Sequence, residues 1–430
     1  MKGKRGVAAA ATAAIVALLE AGPGPVAQAA DAVVRVPCST SKLASAMSEA
    51  SSGQQLILAR GCVYVLTVAL PAVGQNLTIA GQGATLERSY VPGTAVFTIL
   101  TVGTADLAIS KLNFRNGDGA ISVGSQGALT VNGGTFLGNA AADGGAIDSN
   151  GTTAPQVTGA TFIKNTATDS GGAINSNSAA DGLTVSQSTF TRNTAANEGG
   201  AIYSTSAASG LTASQSTFTK NTAANEGGAV YDWGEDAGVY TSTFRQNSAG
   251  AGGALWLSED LGELVTNVTV RDNAATGDGG GIDSPAGGGL DLAHSEIDGN
   301  YAGGNGGGVY DWNGQGSGIV DTVIRENSAE DGGGVYSAGD DAPVTAFVDS
   351  TIAGNHARGY GGGIYNLENA TATGTRVTRN TAASGGGGIS TITYDESSGV
   401  PITFTLTNSA VRANQPDNCA PSGSITNCTG

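Results

Sequence analysis

Histidine is almost missing from this 430-residue chain, which has two, and only three Trp and two Met occur. His294 and His356 stand far in sequence from all four cysteines, so no spacing supports a mixed Cys/His metal centre. Basic residues are scarce too: 19 Lys and Arg face 36 Asp and Glu, a formal charge of −17. Such a chain is a poor partner for nucleic acid or for an anionic membrane. The apolar run Val7 to Leu19 has 13 residues, short of the about 20 a spanning helix needs.

That run follows Lys2, Lys4 and Arg5 and leads to Ala27-Gln-Ala29, the basic, apolar and small-x-small sections of a secretory signal peptide over residues 1–29. Its removal takes away three basic residues and one acidic residue, moving the charge from −17 to −19. Export makes disulfides the natural state of Cys38, Cys62, Cys419 and Cys428. Pairing by neighbourhood joins Cys38 to Cys62 and Cys419 to Cys428, one staple near each end; two other pairings remain open.

What the chain has in abundance is glycine, 69 residues, and the glycines are periodic. Thr189 to Tyr203 is repeated almost verbatim as Thr217 to Tyr231, and a looser form recurs for most of the length. An Asn anchors each copy: Asn139, Asn165, Asn193, Asn221, Asn247, Asn273, Asn300, Asn327, Asn355, Asn380 and Asn414, mostly 25 to 28 residues apart. An apolar column lies three residues before it (Phe136, Phe162, Phe190, Phe218, Phe244, then Val or Ile). A second lies eight before it, as in Val131 and Val185, and a third eight or nine after it, as in Ile147 and Ile202. These segments hold β-branched and Gly residues with few strong helix formers, so the repeat reads as strands. The expected fold is all-β: a right-handed parallel β-helix of three-strand coils of 26–28 residues, stacked at about 4.8 Å, with the Asn taking a left-handed turn and the Gly pair a second one.

Phe-x-x-Asn (Phe136 to Asn139, Phe162 to Asn165, Phe190 to Asn193) together with Gly-Gly-Ala-Ile (Gly144 to Ile147, Gly171 to Ile174, Gly199 to Ile202) resembles the repeats of the polymorphic outer membrane protein family, within the pectin-lyase-like superfamily. The likeness covers residues 111–418; the second half loosens to Ile or Val for Phe and Gly for Ala. It implies a secreted or cell-surface β-helix, although no barrel pattern, sorting motif or hydrophobic tail is seen. One domain is expected over 30–430: an N-terminal cap at 33–66 with a short helix through Leu43 and Met47, irregular coils at 67–130, regular repeats at 131–414, and a C-terminal cap at 415–430. The helical cap resembles those of secreted β-helix proteins.

Three chemical patterns compete. Lys164, Arg192, Lys220 and Arg379 precede the Asn by one residue, and Arg245, Arg271 and Arg325 by two; Asp143, Glu198, Glu226, Asp278 and Asp331 precede the Gly pair. These read as a solvated row of weak ion pairs across one turn. A row of Ca²⁺ sites would need several oxygens per ion where each coil brings one, so Ca²⁺ is the only ion considered and no cofactor is expected. Enzymes resembling pectate lyases cluster carboxylates with a cation in a cleft. The acidic pairs Asp340 with Asp341, Glu235 with Asp236, and Glu259 with Asp260 have no such partner in an evident motif, and no catalytic residue is assigned. The third pattern is aromatic: Tyr203, Tyr231, Trp256, Tyr310, Tyr336 and Tyr365 follow the buried Ile or Val, extended by Trp233 and Trp312. Strand alternation points this column outward, as a strip on which a polysaccharide or a cell-wall or surface protein could stack. The expected protein is an exported, non-catalytic binding or adhesion scaffold, with a polysaccharide lyase or hydrolase and a purely structural rod as the alternatives.

Overall fold

A computed structural model describes residues 33–430 except 179, 207–208, 259–261, 286–287, 313–315, 340–343, 395–400 and 429–430. The signal segment 1–29 and the acidic pairs 259–260 and 340–341 lie outside the described residues. The chain is an all-β parallel solenoid with one helix. Its strands form sheets of 28, 13 and 10 strands, each laid parallel on the equivalent strand of the next coil. One coil reads Ile202–Ser206, Thr212–Ser214, Thr217–Thr219 and Thr222–Ala223. The two middle strands belong to the large sheet, which is hinged between them; the first lies in the 13-stranded sheet and the last in the narrow 10-stranded one.

In-register stacking puts like on like. Phe136 pairs with Phe162 and Phe162 with Phe190. Five successive ring pairs from Phe114 to Phe244 stack at 4.6–5.0 Å. Each such pair contributes roughly 0.5–1.5 kcal/mol beyond the area it buries. The other two apolar columns are buried beside it, so the three columns form one continuous core.

Two features depart from the expected coil. A fourth, two-residue strand follows the ladder Asn from Asn139 to Asn380, as in Thr166–Ala167 and Thr194–Ala195, whose Ala are buried. The left-handed turn belongs to the residue before the Asn, which has φ between +51° and +68° at Gly138, Lys164, Arg192, Lys220, Gln246, Asp272, Gly299, Glu326, Gly354, Arg379 and Ala413. That bend turns the Asn itself inward. Asn221 Oδ1 accepts from the backbone N–H and the Nδ2 of Asn193, both at 3.0 Å, while its own Nδ2 donates to Phe190 O at 3.1 Å and Asn247 Oδ1 at 3.0 Å. A second polar ladder lines the hinge, where the backbone N–H of Ser188 donates to Ser216 Oγ and that of Ser216 to Ser242 Oγ. Both ladders satisfy backbone donors that the bends leave without a sheet partner.

The ends are closed. The helix Thr40–Ser48 starts at Ser39, whose side chain accepts from Lys42 N, and buries Leu43 and Met47. Cys38 is bonded to Cys62 and Cys419 to Cys428, with Cα separations of 5.7 and 6.4 Å. Tyr64 is buried beside the first bridge and donates to Pro37 O at 3.1 Å.

Candidate functional site

The aromatic strip is set by the turn before it. In each coil the first Gly of the pair is left-handed, at +63° for Gly199 and +65° for Gly227. A Cβ on the second would collide with the next coil: one at Gly200 would strike the carbonyl oxygen of Gly228. The chain therefore leaves every turn in one direction, with Ile202 or Val230 inward and the following residue outward. The outward column runs in register through Tyr203, Tyr231, Trp256, Asp283, Tyr310, Tyr336 and Tyr365.

All eight predicted aromatics lie on this sheet, yet most are not exposed. Tyr231, Trp256 and Tyr336 are only 7–9% accessible, and Tyr203, Tyr310 and Tyr365 are half-buried. The reason is the coil spacing. Rings on neighbouring rungs cover one another: Tyr203 on Tyr231 at 5.0 Å, Tyr231 on Trp256 at 4.4 Å, Tyr310 on Tyr336 at 5.0 Å. Two residues further along the same strands, Trp233 and Trp312 do stand out, at 50% and 38% exposure. Trp233 leans on Trp256 with centroids 5.9 Å apart.

The acidic column is not paired with the basic one, correcting the expected row of ion pairs. Arg245 and Arg271 reach Asp272, Arg271 and Arg325 reach Asp298, Arg325 also reaches Glu296, and Arg358 reaches Glu330. Among the described residues no ion pair involves Asp143, Glu198, Glu226, Asp278 or Asp331. The narrow strand separates the columns, as Thr194–Ala195 does between Arg192 and Glu198. Three of these acids instead cap the turn of the next coil: Asp143 Oδ1 accepts from Ser170 N at 3.4 Å, Asp278 Oδ1 from Asn305 N at 2.5 Å and Asp331 Oδ1 from Tyr360 N at 2.6 Å.

Like charges crowd beside the strip. Burial, then Glu198, raises the carboxyl of Glu226. Burial also raises Asp331, against the hydrogen bond from Tyr360 and with help from Glu330. The Tyr336 phenol is pushed up to about 12 by burial, then by Tyr365, Asp331 and Asp278. Asp283, 3% exposed between Trp256 and Tyr310, is raised well above the usual carboxylate range, by burial first and then by Asp278 and Glu226. Asp283 was not among the candidate site residues of the sequence; the signal that could have found it is its register with the rings.

At the N-terminal end of the strip, Asp143, Asp148, Asp169 and Glu198 line an open depression of about 360 Å³ beside Tyr203. Ser170 Oγ donates to Asp169 and Glu198 there. Of the acidic pairs considered for catalysis, Glu235 and Asp236 follow the strand Val230–Gly234, and Asp236 is left-handed at φ +57°. That is a tight turn. Among the described residues no helix is long and apolar enough to cross a membrane.

Comparison with known proteins agrees with the repeat. Residues 159–177, 187–205, 215–232 and 349–367 match the model of the Chlamydia polymorphic membrane protein repeat. No curated protein matches the chain. Among solved structures it is similar to tailspike protein 3 of bacteriophage CBA120, at 14% identity and a TM-score of 0.37, over 90% of this chain and 59% of the tailspike's length. The chain is thus a parallel β-solenoid carrying repeats of the Chlamydia polymorphic membrane protein type.

Proposed function

We propose that the protein is an exported, rigid, non-catalytic scaffold for attachment at a cell surface, and that the aromatic sheet is its binding face. The observation that carries the reading is the pair Trp233 and Trp312, large aromatics left half-exposed on a strip whose other rings cover one another. Indole faces in water are a liability unless something covers them. A glycan or a surface protein fits such a strip. Purified protein should adsorb to isolated cell-surface material, and adsorption that survives proteinase treatment of that material assigns the ligand to glycan. A variant with Tyr203, Trp233, Trp312 and Tyr365 all changed to Ser should lose it. Adsorption unchanged in that variant would remove the binding face. No polysaccharide should be cleaved, with or without Ca²⁺; turnover would move the reading to the lyase or hydrolase alternative.

A second reading, a purely structural rod, has its own support. The stacking of Tyr203, Tyr231 and Trp256 stiffens the sheet whatever it binds.

A further inference from the structure

The aromatic column has one gap. Counting rungs from Tyr231 through Trp256 and Asp283 to Tyr310, the coil of Trp233 and that of Trp312 stand three apart, about 14 Å along the axis at strand spacing. Between them, in the outward position that the two Trp occupy, the chain places Ser258 and Pro285, both small. One column over, the rung between Trp256 and Tyr310 carries Asp283 instead of a ring. The two rungs between the exposed indoles therefore carry no outward ring in the Trp233 column, and their small residues are covered, Ser258 being 4% and Asp283 3% exposed. The Asp283 Oδ1 is buried and finds no hydrogen-bond partner among the described residues.

Charge around the perimeter narrows what could sit there. From Asn139 to Tyr394 every Lys and Arg except Arg358 lies on the hinged sheet or at the bend before the ladder Asn. No basic residue stands on the 13-stranded sheet in that span, whereas Glu226, Asp278 and Asp331 run beside the strip. A uronate, sulfate or phosphate on the ligand would meet repulsion with no cation to offset it. Sugar rings present an apolar C–H face for the exposed indoles and need no cation.

Resting on the binding face proposed above, we propose that the stretch of this sheet between Trp233 and Trp312 is the seat of a glycan that carries no negative charge. Each exposed Trp stacks on one sugar ring.

The test is affinity electrophoresis of the full mature chain in native gels containing hydroxyethylcellulose, galactomannan or dextran as neutral polymers, and polygalacturonate or alginate as acidic ones, at low and at high salt. At least one neutral polymer should retard the protein at either salt concentration, and neither acidic polymer should at low salt, where the repulsion is unscreened. Trp233→Ala and Trp312→Ala should each weaken retardation roughly tenfold, as truncation of a central aromatic contact does. Both indoles are half-exposed, so unchanged circular dichroism should accompany the loss. Retardation by an acidic polymer at low salt overturns the charge assignment. Retardation by a neutral polymer that survives both Trp substitutions overturns the seat. If no polymer retards the protein while it still adsorbs to cell-surface material, this proposal fails and the attachment reading stands; if adsorption is absent too, both fail.

Discussion

Asn221→Asp changes one side-chain nitrogen to oxygen at the centre of the rod and nothing else in shape. Asn221 is fully buried, and its two side-chain N–H groups go to Phe190 O and Asn247 Oδ1. With Asp both bonds are lost and two acceptors face a third oxygen. Leaving a buried polar group unmade costs roughly 1–3 kcal/mol, so two lost bonds predict a deficit of about 2–6 kcal/mol before any charge is counted. Ionisation adds to it, because the carboxylate would be buried and the nearest atoms on that side are acceptors. The carboxyl in the folded protein is therefore held above its unfolded value of about 3.9. The sign follows: the folded state then binds the proton more tightly than the unfolded one, so the variant's deficit is full at high pH and shrinks as pH falls towards the unfolded value. A protonated carboxyl also regains one donor. Urea unfolding followed by circular dichroism at pH 7.5 and pH 4.5, with wild type in parallel, reads both effects. A variant as stable as wild type at neutral pH, or one whose deficit grows on acidification, would refute the ladder as a chain of directed donors and acceptors.

Wild type should itself be more stable near pH 5 than near pH 8, because burial raises Asp148, Glu226, Asp283, Asp298 and Asp331 in the folded state, and a raised carboxyl contributes stability that is lost as pH rises; thermal melts across that range check it. Tyr231→Ala removes a buried ring stacked on both sides and should cost about 3–5 kcal/mol, whereas Trp233→Ala should change stability by less than about 1 kcal/mol; equal losses would mean that the two rings do the same job. Non-reducing peptide mapping should return Cys38 linked to Cys62 and Cys419 linked to Cys428, and Cys38→Ser with Cys62→Ser should lower stability by about 3 kcal/mol, the value for a loop of 24 residues; a crosslink between the two ends would contradict the rod.

The period and the stacked apolar columns were legible because each rests on a residue type repeated at fixed spacing, and both disulfides because four cysteines fall into two neighbouring pairs. What escaped notice was carried by residues that do not look alike. The left-handed position before each Asn is filled by Lys, Arg, Gln, Asp, Glu, Ala or Gly, so no type marks it; the positive φ is imposed by the Asn that must turn inward to join its ladder. The narrow strand rests on Ala195 and its equivalents, too small to stand out in a chain rich in small residues. The hinge ladder uses Ser188, Ser216 and Ser242, among many other serines. Alternation assigned the tyrosines to the correct face of the sheet, but exposure depends on neighbours a coil away. At one rung's separation an aromatic ring is covered by the next, which left Trp233 and Trp312, without an aromatic above or below them in their own column, as the ones that reach water.

The ladder asparagines also make the coils interchangeable. Every rung presents an Oδ1 to the coil before it and an Nδ2 to the coil after it, so any coil ends in the socket that any other begins with. Excising residues 194–221 would join Asn193 directly to Thr222 and set Asn193 against Asn247, with the Phe and Gly columns still in step. The near-identity of Thr189 to Tyr203 and Thr217 to Tyr231 is what the reverse event, duplication of one coil, leaves behind. In such a molecule the distance between the two capped ends is a count of repeats, and recombination within the gene can change reach in steps of one coil while leaving every rung chemically complete.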